Sequence, residues 1–252
     1  MTLLLAAAAA LLVGISLGLL GGGGTILTVP VLVYGLSMAP TVAIATSLVI
    51  VAATATASLV VHARSGHVQW RTGLVFGSAG MLGAYGGATI GAYLPGRVLL
   101  IAFAIMMLAT SIAMLRRAPD RPPTPKPTGA RGLAKILAEG LVVGAITGLV
   151  GAGGGFLVVP ALALLGGLSM RDAVGTSLLV IALKSTAGFA GYAGHVEIDW
   201  TLAGTMSAVA IAGSLLGARA AARVPQAALR RAFAIFVLVM GAAMVGAELL
   251  AR

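Results

Sequence analysis

Eight stretches of this chain stay apolar for about 18 to 23 residues, at about 3–20, 40–62, 72–93, 97–115, 133–150, 170–192, 201–222 and 229–250. Nothing else in the sequence limits the fold so severely, because about 20 apolar residues are what a helix needs to cross a bilayer. Two shorter apolar stretches, about 25–35 and 156–165, each follow a cluster of glycines. At about 11 residues they rise only about 16 Å as helices, too little to span alone. The expected fold is all-α and polytopic, with about eight long transmembrane helices and two short Gly-broken half-helices. Composition agrees: 60% of residues are apolar and 9% charged, against about 25% charged in an average soluble domain. A soluble enzyme, a nucleic-acid-binding domain and a disordered chain are excluded, since each must show water a charged shell. Cysteine is absent, which removes disulfides, thiolate metal sites and thiol nucleophiles. A cleaved signal peptide over Met1–Leu20 is disfavoured: it has no basic n-region, and its apolar run carries straight into Gly21–Gly24.

The chain repeats itself at an offset of 130 residues. Gly18–Gly24 answers Gly148–Gly154, Pro30 answers Pro160, and Ala45-Thr46-Ser47-Leu48 answers Gly175-Thr176-Ser177-Leu178. Trp70, Pro95 and Ala102–Ile105 have counterparts in Trp200, Pro225 and Ala232–Ile235. So many coincidences at one offset mark an internal duplication. The expected division is a first repeat over 1–115, a basic Pro-rich cytoplasmic linker over 116–131, and a second repeat over 132–252. The linker gathers five prolines with Arg116, Arg117, Arg121, Lys126 and Arg131.

The net charge of +10 is mostly a topology label, because cytoplasmic loops retain positive charge. Loop 62–71 carries Arg64 and Arg71, whereas its counterpart 193–200 carries Glu197 and Asp199. The next loop pair reverses the bias, with Arg97 alone in the first half and Arg219, Arg223, Arg230 and Arg231 in the second. Equivalent loops on opposite faces mean inverted-topology repeats with both termini outside. Trp70 and Trp200, at expected helix starts, suit interfacial anchoring.

Three features bear on function. The first is the glycine clusters. Glycine breaks a helix and lets a ligand approach the main chain. The first amides of the half-helix that follows have no intrahelical partner and carry partial positive charge. Paired at membrane depth, such N-termini bind anions, which nominates Gly22, Gly23, Gly24 and Thr25 with Gly153, Gly154 and Gly155. The plainer alternative is that these glycines only permit tight helix crossing.

The second feature is a polar stripe, Ser47, Thr54, Ser58 and His62, answered position for position by Ser177, Lys184, Gly188 and Tyr192. Thr46, Ser47, Thr176 and Ser177 can donate to an anion without placing charge in lipid, or instead bond their own helix backbone. Lys184 lies midway along an apolar run, where a cation costs at least about 2.5–3.5 kcal/mol. It is expected to face an anionic substrate, the alternative being a snorkel to the interface. His62 and His195 read as interfacial, and His67 as a loop residue without a task. The third feature is a glycine ladder, Gly73, Gly77, Gly80, Gly83, Gly87 and Gly91, with a sparser counterpart in Gly204, Gly213, Gly217 and Ala221. It reads as a packing seam.

Gly18–Pro30 and Gly148–Pro160, with the two Thr-Ser-Leu stretches, resemble the duplicated signature of the sulfite exporter TauE/SafE family of bacterial inner-membrane permeases. Thr25 stands where the second copy has Gly155. The resemblance covers nearly the whole chain outside the linker. It implies transport of sulfur-containing anions such as sulfite, sulfoacetate and other organosulfonates. The expected function is a secondary transporter, an exporter, working by alternating access. The alternatives are a permease for a small carboxylate or an anion channel. No catalytic or metal-ligating constellation is present, so no enzyme activity, cofactor or metal is expected. The expected partners are a small anionic substrate and the lipid bilayer, with no nucleic acid; assembly as a homodimer stays open.

Overall fold

A computed structural model describes residues 2–116, 130–150, 155–221 and 223–250. Most of the proline-rich linker, with Gly153 and Gly154, lies outside the described residues. Every regular element among them is helical: α1 (Thr2–Leu20), α2 (Gly23–Pro30), α3 (Pro40–Arg64), α4 (Trp70–Gly91), α5 (Gly96–Arg116), α6 (Ala130–Val150), α7 (Gly155–Pro160), α8 (Met170–Tyr192), α9 (Trp200–Ala221) and α10 (Gln226–Leu250). Among the described residues, α3, α5, α8, α9 and the Ala227–Gly246 part of α10 are long and apolar enough to cross a membrane. The protein is a polytopic helical membrane protein.

The short segments show how proline and glycine shape a chain in an apolar medium. α1 stops at Gly21, whose φ of +63° is the left-handed conformation that closes a helix. α2 then runs only to Pro30. Proline has no N–H to return to the carbonyl four residues back, and its ring crowds that carbonyl. The backbone accommodates it by widening into a π-helical turn, Val31–Gly35, closed by a bond from Leu36 N to Val31 O at 3.1 Å. Met38 N then donates to Leu32 O. The same device recurs 130 residues on: Pro160 is followed by the π turn Ala161–Leu165, with Gly166 N donating to Ala161 O and Leu168 N to Leu162 O. The duplicated sequence thus yields duplicated backbone bonds.

Long helices pair across the halves. α1 packs on α9 and α4 on α6, two pairings that exchange when the halves exchange; α3 packs on α8, and α5 on α10. Apolar side chains gain nothing by leaving lipid for one another, so these contacts depend on close backbone approach. At the α4–α6 crossing a side chain on Gly83 or Gly87 would meet Leu141 O or Ala145 O, and one on Gly144 would meet Gly80 O. Gly14, Gly18, Gly213 and Gly217 do the same between α1 and α9. The expected ladder on α4 therefore serves two neighbours. Gly73, Gly77 and Gly80 admit Leu179, Leu183 and Lys184 of α8, while Gly83, Gly87 and Gly91 seat the backbone of α6. Gly204 is the exception, with open space before it.

α3 and α8 are the most enclosed helices and run antiparallel, since Leu48 lies against Gly188 while His62 lies against Gly175. This register puts Thr54 and Lys184 near the middle of the pair.

Candidate functional site

The two glycine breaks meet. A methyl group on Gly155, at the start of α7, would lie 2.6 Å from Gly22 Cα and 2.8 Å from Thr25 Cγ2. It would also meet Ile181 of α8. Gly21 is equally confined, against Ser177 Oγ and Val174 of α8. The loop that ends α1 thus rests on the second half's Thr-Ser helix. Gly23 and Gly24 open the first turn of α2, where the leading amides of a helix lack intrahelical partners, and Thr25 N donates to Gly22 O at 3.3 Å. Thr25 itself offers no hydroxyl to this region: its Oγ1 donates to Gly22 O at 2.7 Å, and its methyl faces Gly155.

The hydroxyls behave unevenly. Ser47 Oγ donates to Ile44 O and Ser177 Oγ to Val174 O, each at 2.7 Å, so both serines bond their own helix. Thr176 Oγ1 accepts from Gln69 N at 2.9 Å, which pins the α3–α4 loop to α8 and leaves the threonine's own hydrogen to give. Thr46 Oγ1 is fully buried without a hydrogen-bond partner, as are Ser58 Oγ and Ser185 Oγ. The α3–α8 register places Ser177 at the level of about residue 60 on α3. Ser47 is then about a dozen residues away along the pair, roughly 19 Å at 1.5 Å per residue. The two Thr-Ser pairs occupy opposite ends of the central helices, and the structure does not bring them together.

Lys184 sits between them. Its side chain is 1% exposed, so it does not snorkel. Its stem fills the space that Gly80 leaves on α4, and Nζ donates to Thr147 Oγ1 of α6 at 2.8 Å. Thr147 passes its own hydrogen to Val143 O. Among the described residues no carboxylate pairs with Lys184. Ile181, about one turn earlier on α8, lies against Gly155, so Lys184 stems from α8 about one helical turn from the paired breaks.

Two further residues join the breaks to the central helices. His62 is 7% exposed, and its Nε2 lies 3.1 Å from Gly18 O in the last turn of α1. Its counterpart Tyr192 is buried and donates to Leu149 O, in the last turn of α6, at 3.0 Å. Helix ends leave carbonyls without partners, and each half supplies one donor from the same position. His62, expected near the interface, is buried in the last turn of α3 and braces the end of α1. Beside it, a cavity of about 20 Å³, room for one water, is lined by His62, Ser65, His67 and Arg171 among others. His67 has a partner after all, with Nδ1 3.4 Å from Asp172 Oδ1. At the other end exposed His195 Nε2 lies 3.2 Å from Tyr93 Oη. Trp70 and Trp200 are exposed at the starts of α4 and α9.

The profile described as "Sulfite exporter TauE/SafE" matches residues 6–244. A probable membrane transporter protein of Xylella fastidiosa (strain 9a5c) is 39% identical over 90% of this chain and 88% of its own. The probable membrane transporter proteins YunE and YdhB of Bacillus subtilis are 30% and 26% identical; the matches cover 79% and 91% of this chain and 81% and 95% of theirs. No solved structure matches. The chain therefore belongs to the TauE/SafE sulfite exporter family and is a multi-pass membrane transporter.

Proposed function

We propose that this protein is a secondary transporter, an exporter in the bacterial inner membrane, for small sulfur-containing anions: sulfite, sulfoacetate or another organosulfonate. The observation that carries the reading is the meeting of Gly155 with Gly22 and Thr25, two helix breaks pressed together inside an apolar bundle. Amides of the first turn of α2, with the Thr46 and Thr176 hydroxyls at either approach, supply donors for sulfonate oxygens. Lys184 is the one buried basic amine that has no carboxylate partner among the described residues, and an anion beside it favours its charged form. The name of the matching family supports sulfur oxyanions as the substrate class.

The antiparallel run of α3 and α8, equivalent helices in the two halves, supports inverted repeats, with eight spanning helices in all. The anion then sits near the pseudo-twofold axis, and rocking one half against the other exposes it to each side in turn. The separation of the Thr-Ser pairs, roughly 19 Å along the helices at about 1.5 Å per residue, gives them separate duties, one at each approach.

Single cysteines test the site cleanly, because the chain has none of its own. Thr25→Cys is expected to react with a small water-soluble thiol reagent during turnover, and sulfoacetate is expected to slow that labelling several-fold. Labelling that is indifferent to sulfoacetate removes the anion from the breaks. The inversion is checked the same way: Ser65→Cys and Gly194→Cys should label from opposite faces of intact membranes, and labelling from one face refutes it.

A further inference from the structure

We propose that His62 carries a proton across the membrane together with the anion, so that transport is coupled to the pH gradient. This rests on the anion reading above. The buried ionisable side chains among the described residues are His62, Lys184 and Tyr192, and none is a carboxylate. A phenol holds its proton throughout the physiological range. Lys184 is packed into the seam between Gly80 and Thr147. His62 alone combines burial in the bundle with a place on the wall of a cavity that reaches polar surface residues.

The geometry leaves a vacant place for a proton on the ring. Gly18 O can only accept, so Nε2 carries the hydrogen of the 3.1 Å bond and Nδ1 is the ring atom that takes up a proton. Uptake at Nδ1 keeps the bond to α1 intact while placing a full positive charge three residues before Gly21. One turn deeper on the same face of α3, Ser58 Oγ is fully buried and has no hydrogen-bond partner. It offers a hydroxyl to a proton or water moving inward from the ring.

The charged groups around His62 are mostly cationic, so its protonated form needs a counter-charge. α8 contributes Arg171 and Asp172, and the loop after α3 contributes His67, itself paired with Asp172. α3 contributes Arg64, exposed at its end. α9 faces the cavity with Ala218 and Ala221, flanking exposed Arg219, and α10 faces it with Leu229, followed by Arg230. α1 brings the Gly18 carbonyl and has no ionisable side chain. Asp172 is engaged by His67, which leaves an arriving anion as the natural counter-charge for a protonated His62. Anion and proton then strengthen each other's binding by the same factor. One proton enters with each anion and leaves with it on the far side; nothing else is consumed.

The test uses full-length protein in liposomes with labelled sulfoacetate, whose acid groups stay ionised near neutrality, so any proton flux belongs to the protein. Sulfoacetate carries two negative charges, so the membrane potential is clamped at zero. For one proton per anion, an imposed gradient of about one pH unit should then sustain a roughly tenfold sulfoacetate gradient. His62→Gln, which keeps an amide donor for Gly18 O, should abolish that accumulation while retaining downhill exchange of labelled for unlabelled anion. His195→Gln, exposed at the opposite end, should retain the tenfold ratio. In wild-type protein an internal pH dye should report proton movement with anion entry, a readout that does not depend on any variant folding. Anion exchange without proton movement, or tenfold accumulation by His62→Gln, overturns the proposal. No flux of any sulfur anion in wild-type protein defeats the anion reading itself, and this proposal with it.

Discussion

Replacing Lys184 with methionine should weaken sulfoacetate transport at least about thirtyfold in apparent affinity while leaving the fold intact. The two halves of this expectation have separate physical causes. Methionine is close to lysine in length, so it fills the space beside Gly80 that the lysine stem occupies, and it needs no hydrogen bond. Removing a buried charge in favour of an apolar group of similar volume is often neutral or stabilising, and Thr147 still donates to Val143 O. Thermal stability in detergent should therefore hold or rise. Binding suffers because the anion loses its opposite charge in a region of low dielectric, where deleting one partner of a close charge pair costs about 2 kcal/mol or more, roughly thirtyfold in affinity. Stability should fall instead for Gly80→Ala, which pushes on Lys184 Cδ at 2.8 Å. If Lys184→Met transports sulfoacetate with unchanged affinity, the lysine is not a ligand.

Gly155→Ala should reduce transport below about a tenth of wild type and destabilise the protein by about 1–3 kcal/mol, the usual range for overpacking. The added methyl meets Gly22 Cα at 2.6 Å, and backbone cannot rotate away as a side-chain tip can. α7 must move off α2, and the paired breaks separate. In a chain of this size the stability loss appears as a fall of roughly 2–12 °C in melting temperature. Gly204→Ala is the matched control: it adds the same methyl where open space awaits it and should leave melting and flux unchanged. Equal behaviour of the two variants would mean that the contact between the breaks has no part in transport.

Much of this arrangement is legible in the sequence, and the remainder is hidden for definite reasons. The half-helices are visible because glycine and proline act locally: Gly21 ends α1 and Pro30 forces the π turn that follows, without help from distant residues. Their meeting is not visible in either copy alone, and only the duplication suggests it. The glycine ladder shows one small-residue face, but not that α4 divides it between α8 and α6, which depends on how three helices cross. The Thr-Ser pairs mislead in an instructive way. Equivalent positions in a duplicated sequence suggest that both pairs touch one ligand. Antiparallel packing of α3 on α8 instead sends them to opposite ends, and register is a tertiary property. His62 was hidden for another reason. Its partner is a main-chain carbonyl, which leaves no trace in side-chain patterning. The signal available was that His62 and Tyr192, both ring donors, stand at one offset. The linker's role as a cytoplasmic connection falls on residues outside those described.

Flux through liposomes tests the central claim most directly. Purified protein is reconstituted and presented with labelled sulfite, sulfoacetate and acetate under equal gradients. Saturable movement of sulfite or sulfoacetate, each inhibiting the other and both exceeding acetate, is the predicted result. Saturable flux of acetate alone would assign the protein to carboxylates, and conductance that never saturates would make it a channel. The absence of flux for every sulfur anion would contradict the account at its base.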